Sequence, residues 1–110
     1  MGKSQRVKGH SFERLVARTF REFYKDSFRV LEYQENTANG IDVKAGPFNI
    51  QCKRHKSYVP INTIKEIKGD DTNKIKLLIT KADRDDAMVC LSLSDFIRVL
   101  KNENLEMDKE

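Results

Sequence analysis

Two short runs of strand-forming residues, Ile41–Ala45 and Phe48–Arg54, are separated only by Gly46-Pro47. A connection that short calls for an antiparallel hairpin. Glycine supplies the positive φ of the first central position of a type II′ turn, and the fixed φ of proline suits the second. The turn then sets the register: Ala45 faces Phe48, Lys44 faces Asn49 and Val43 faces Ile50. The same count brings Asp42 opposite Gln51. Because side chains alternate along a strand, Gln51 and Lys53 share one face while Ile50 and Cys52 point to the other. Asp42 is expected about 5 Å from Gln51 (Cβ to Cβ), with Lys53 a diagonal neighbour. A loop of three or five residues would slip this register, so the arrangement rests on the turn.

The rest of the chain reads around that hairpin. Residues 1–8 are polar and basic and are expected to form a flexible arm. From Gly9 onward, Phe12, Leu15, Val16, Phe20, Phe23 and Tyr24 make one apolar stripe at helical spacing. They predict a helix from about His10 to Asp26, capped near Ser11. Phe28–Tyr33 is rich in branched and aromatic residues and predicts a strand. Asn36–Gly40 is a loop cluster. After Pro60, Ile61, Ile64 and Ile67 suggest a short helix ending near Gly69. Lys76–Thr80 and Ala87–Leu93 are apolar strand patterns, and Ser94-Asp95 cap a last helix, Phe96–Lys101. The order αβββαββα predicts an α/β domain, a central mixed five-stranded sheet flanked by helices. The 110 residues suffice for a single domain, taken as 9–102, followed by an acidic tail over 103–110.

Charge is distributed unevenly. Residues 1–30 hold eight Lys and Arg against three Asp and Glu, and Val43–Val59 holds four basic residues and no acid. The end after Leu100 holds four acids against two bases. Positive charge therefore gathers at the start and the hairpin, the footprint of a polyanion partner such as nucleic acid. A solvated basic surface would look the same by charge alone. No apolar run is long enough to span a bilayer, and no apolar signal region follows the basic start. Cys52 and Cys90 lack CxxC spacing and read as small core hydrophobes in a reducing compartment. The expected location is the cytoplasm of a bacterial, archaeal or phage-infected cell.

The hairpin cluster has its own chemistry. A carboxylate and an amide oxygen are hard ligands, suited to Mg²⁺ or Mn²⁺. Such an ion polarises a phosphodiester oxygen and lowers the pKa of a bound water. An adjacent lysine stabilises charge on the transition state or orients the water. By spacing alone an ordinary surface hairpin remains open, since Asp and Lys a few residues apart are common.

Asp42, followed across a hairpin by Gln51-Cys52-Lys53, resembles the PD-(D/E)xK nuclease motif. Gly40-Ile41-Asp42 with Ile50-Gln51-Cys52-Lys53 looks particularly like the GID…QxK form of Mrr-type restriction endonucleases, where glutamine replaces the second acid. The short length and the basic first helix bearing Glu13 are similar to small archaeal and phage Holliday junction resolvases. The resemblance covers roughly residues 8–100, with motif support in 9–14 and 40–54. It implies the restriction-endonuclease-like fold and a Mg²⁺ or Mn²⁺ cofactor held by Glu13, Asp42, Gln51 and the backbone oxygen of Cys52. Lys53 is then the catalytic lysine. Cleavage would leave 5′-phosphate and 3′-hydroxyl ends. Lys44, Arg54, Lys56 and Tyr58 are expected to meet backbone phosphates. His10, His55 and Asn39 are further DNA contacts, with Gln34 and Asn36 in the same loop as Asn39. Lys3, Arg6 and Lys8 form an arm that orders on DNA.

The reading that follows is a metal-dependent DNA endonuclease, first a homodimeric Holliday junction resolvase making paired cuts in four-way junctions. A minimal Mrr-like nuclease acting on duplex DNA is the alternative; the Gln51 form matches it better, although such proteins usually carry a recognition domain for which there is no room. A catalytically silent DNA-binding module is the third. Met88–Leu93 and Phe96–Leu100 are candidate dimer surfaces.

Overall fold

The structure, a computed structural model, describes residues 3–30, 40–55 and 74–101. Helix α1 spans Lys3–Arg21. It starts well before the expected His10, so the segment expected as a flexible arm forms its first turns. It buries Phe12, Val16 and Ala17, with Phe20 partly covered one turn on. That stripe is narrower than the sequence suggested, because Leu15 and Phe23 are exposed. The helix also stops short of Asp26. The N–H groups of Phe23 and Tyr24 both donate to the Phe20 carbonyl, winding the chain out of the helix. The buried Ser27 hydroxyl then donates to the Tyr24 carbonyl at 2.7 Å and closes the corner.

Five strands follow: β1 Phe28–Arg29, β2 Val43–Ala45, β3 Phe48–His55, β4 Ile75–Ala82 and β5 Ala87–Cys90. They form one sheet in the order β1-β2-β3-β4-β5, antiparallel throughout except for the parallel pair β3–β4. The mixed five-stranded sheet is as expected. A parallel pair needs a long crossover. Here the crossover lies outside the described residues, together with the helix expected near Ile61–Gly69.

The hairpin register is the predicted one: Val43 pairs with Ile50, Lys44 with Asn49 and Ala45 with Phe48. Gly46 has φ +52. A Cβ there would collide with Cδ1 of Tyr24, whose ring meets Phe48 edge-on at 5.9 Å. Glycine is therefore required twice at this position, for the left-handed backbone and for the ring packed over it.

Alternation sorts the sheet into two faces. Val43, Ala45, Ile50, Cys52, Ile75, Leu77 and Ile79 join Phe12, Val16 and Ala17 of α1 in the main core. Each large side chain fully buried there contributes about 1.5–3 kcal/mol. Asn49, Gln51 and Thr80 occupy the other face and are also buried. Both cysteines are free thiols; Cys52 is buried, and Cys90 only partly so.

Helix α2 spans Leu93–Leu100 and is capped by Ser92, whose Oγ accepts from the Asp95 N–H at 3.1 Å. The expected cap at Ser94 thus lies two residues too late, and β5 ends at Cys90 because the chain turns to begin this cap. The Asp95 carboxylate accepts from the Lys76 N–H and pairs with Arg98, each at 3.4 Å, tying α2 to β4. Leu91 and Val99 pack on the main core. Among the described residues no helix is long and apolar enough to cross a membrane.

Candidate active site

The hairpin count fails one residue beyond Val43, and that failure builds the site. The Asp42 N–H donates to the carbonyl of Ile50, the residue that Val43 already faces. Two consecutive residues therefore oppose one on β3, which is a β-bulge. Asp42 does not sit squarely opposite Gln51. Its carboxylate reaches across the strand edge instead, where Oδ2 accepts from the Cys52 N–H at 2.9 Å.

The edge position explains which groups surround it. The α1 face brings Glu13, one residue after core-facing Phe12, while alternation places Lys53 on the opposite face. A carboxylate lying at the edge between the two faces is within electrostatic reach of both, and of Arg29. Asp42 is pushed up from 3.8 to about 6, first by burial and then by the Glu13 charge; the Cys52 N–H, Lys53 and Arg29 pull it down.

Glu13 has a partner of its own. Arg29 Nε donates to its Oε1 at 3.1 Å, with the two side chains only 20% and 17% exposed. Sequence reasoning missed Arg29. It stood only as one basic residue in the count, and its signal is a guanidinium inside an otherwise apolar strand run. Gln51 is 4% exposed, and its Oε1 has no hydrogen-bond partner among the described residues. It shares a face with Lys53 by alternation. The Cys52 thiol, by contrast, lies in the main core and is raised far above its usual range by burial and by Asp42 and Glu13. Without a metal it stays protonated.

The donor set fits a hard divalent cation. It offers two half-buried carboxylates, one of them costly to ionise, and a buried amide oxygen without a partner among the described residues. Among the described residues no three His, Cys, Asp or Glu side chains cluster, so the amide is what would extend the set beyond two carboxylates.

The expected DNA contacts are less uniform. His10 is half-buried on α1, three residues before Glu13. Lys44 is half-buried on β2 and already engaged. Arg54 pairs through Nη2 with Asp83 of the β4–β5 turn at 3.4 Å, and its side chain is 20% exposed. Lys3, Arg6 and Lys8 lie on the α1 backbone, not on an arm, and their side chains are outside the described residues. The same holds for the side chain of His55 and for Gln34, Asn36, Asn39, Lys56 and Tyr58 altogether.

Comparison with curated proteins and with solved structures gave no match. The family comparison did: the Mrr catalytic-domain model, described as restriction endonuclease, matches residues 4–87. That span contains α1 from its second residue, the bulge, Gln51 and Lys53 and all of β4. The chain accordingly belongs to the restriction endonuclease family of Mrr type, a family of DNA nucleases within the PD-(D/E)xK superfamily.

Proposed function

We propose that this protein is a Mg²⁺- or Mn²⁺-dependent endonuclease that cuts duplex DNA. The observation that carries the reading is the Asp42 carboxylate pinned to the Cys52 N–H of β3, just past the last β2 pairing, within electrostatic reach of Glu13 and Lys53. The family match favours duplex DNA over the four-way junction that length and helix charge first suggested.

Glu13, Asp42, Gln51 and the Cys52 carbonyl would hold the cation. The Cys52 carbonyl supports this, because N–H and C=O of one strand residue point to the same side, and its N–H already meets Asp42. When bound, the ion supplies a Lewis acid for the phosphodiester and a water of lowered pKa. The chain's own residues do the rest. The Cys52 N–H orients Asp42, and burial of that edge strengthens each charge interaction. Lys53 approaches from the other face as the fixed cation that meets charge developing on the phosphate. Gln51 contributes a neutral oxygen, so the site carries one negative charge fewer than a three-acid set. Two matched cuts in antiparallel strands call for a two-fold dimer. Exposed Met88 and Val89 on β5 and Leu93, Phe96 and Leu100 on α2 support an interface there.

The test is incubation with Mg²⁺ or Mn²⁺ and labelled duplex, four-way junction and single strand. Metal-dependent cutting of duplex is the expected result. Cutting restricted to the junction would replace the duplex reading with the resolvase one. Tight binding with no product under any metal would leave a silent binding module.

A further inference from the structure

We propose that Arg29 is a phosphate-binding residue of this active site, held by Glu13 through Nε so that its terminal nitrogens are kept for DNA. The inference rests on the nuclease reading and adds a residue that the motif does not contain.

Three observations carry it. Arg29 lies on β1, the neighbour of β2, with its Cα opposite Val43, the residue next to Asp42. Its one side-chain hydrogen bond within the described residues uses Nε, to Glu13 Oε1 at 3.1 Å. The side chain keeps a fifth of its surface in solvent. A guanidinium has five donors in a rigid fork, and an Nε contact occupies one of them. The two terminal nitrogens, with the other four N–H donors, match two oxygens of a phosphate. Both side chains are mostly covered, so the pair compensates the Glu13 charge as well as fixing the guanidinium. The fixed guanidinium then serves as a bridge. Glu13 orients the guanidinium, and the guanidinium takes a backbone phosphate beside the scissile bond while offsetting repulsion between Glu13 and Asp42.

The experiment measures binding of a short fluorescent duplex across a NaCl series in EDTA, for the full chain and for Arg29→Gln and Arg29→Lys. Mn²⁺ binding without DNA is followed in parallel by electron paramagnetic resonance. Arg29→Gln is expected to weaken DNA binding about tenfold at low salt and to lower the salt slope by about one charge. Arg29→Lys keeps the slope but recovers only part of the affinity, because it lacks the fork. Mn²⁺ binding of both variants stays at least as tight as that of the parent. Unchanged DNA affinity and slope in Arg29→Gln, with weaker Mn²⁺ binding, would overturn the proposal and reduce Arg29 to a brace for Glu13. If Arg29→Gln does not fold, parent-like DNA affinity in a folded Arg29→Lys overturns it equally. A parent protein that binds no DNA would sink the nuclease reading itself, a result distinct from either variant outcome.

Discussion

The two ends of the sheet break the inside–outside rule in opposite directions. At the β1–β2–β3 end, Glu13, Arg29 and Asp42 are drawn under cover, and Gln51 is buried with its oxygen unmatched. At the β4–β5–α2 end, Met88, Val89 and Leu93 stand 52%, 55% and 74% exposed, and α2 has no buried residue. Buried polar groups cost stability unless they are paired, whereas exposed apolar ones forgo the stabilisation that burial would bring. The first departure is local and chemical, and in the proposed function an ion and a phosphate would complete it. The second is broad and unspecific in its chemistry, as suits a surface that meets another protein surface. Arg54 marks the boundary, a basic residue of the hairpin paired with Asp83 at the other end.

The sharpest way to break the comparison is at Asp42. Asp42→Asn is expected to lower cleavage at least ~10³-fold with DNA binding retained, measured as single-turnover product formation. The same substitution should stabilise the metal-free fold. Asp42 titrates at about 6 folded against 3.8 unfolded, so the native state binds more protons between these values. Stability therefore falls as pH rises through that window. The difference is worth up to about 3 kcal/mol above pH 6. Urea unfolding should show Asp42→Asn more stable than the parent at pH 7.5 and equal to it near pH 3.5. A variant no more stable at pH 7.5 would mean that the carboxylate is not held at a cost.

Gly46→Ala comes next, with an expected loss of about 2–4 kcal/mol in the same assay, from the Tyr24 collision and the left-handed backbone. Gln51→Glu sharpens the site. It should tighten Mn²⁺ binding and lower metal-free stability by about 1–3 kcal/mol, since it adds a second costly carboxylate. Unchanged metal affinity would remove Gln51 from the ligand set. At the other end, Val89→Lys protects an edge strand with a charge. It should leave monomer stability within about 0.5 kcal/mol while abolishing any dimer seen by analytical ultracentrifugation. The smallest effect is Ser92→Ala, about 1 kcal/mol of α2 stability, read by thermal melting.

Much of this was legible in the chain. Gly46-Pro47 set the register of three residue pairs correctly, because a two-residue turn leaves little freedom. The strand count, the mixed sheet and the family motif followed from local pattern. Element ends were less legible, since capping is decided by single hydrogen bonds such as Ser92 to Asp95. Lys3–Lys8 look too polar for a helix by apolar periodicity, yet the helix extends through them, because apolar spacing reports a buried face and says little about a helical turn with none. Arg29 left only a weak signal, a guanidinium inside an otherwise apolar strand run.

The sequence by itself determined the hairpin, the donor types and their order, because turn chemistry and alternation act over a few residues. Only the tertiary structure decided where those donors point. A bulge in the hairpin turns Asp42 to the Cys52 N–H. The approach of Glu13 on a helix packed from the other side and the Arg29 that holds it are contacts between separate elements. They are set by how α1 lies across the sheet, which no local pattern encodes.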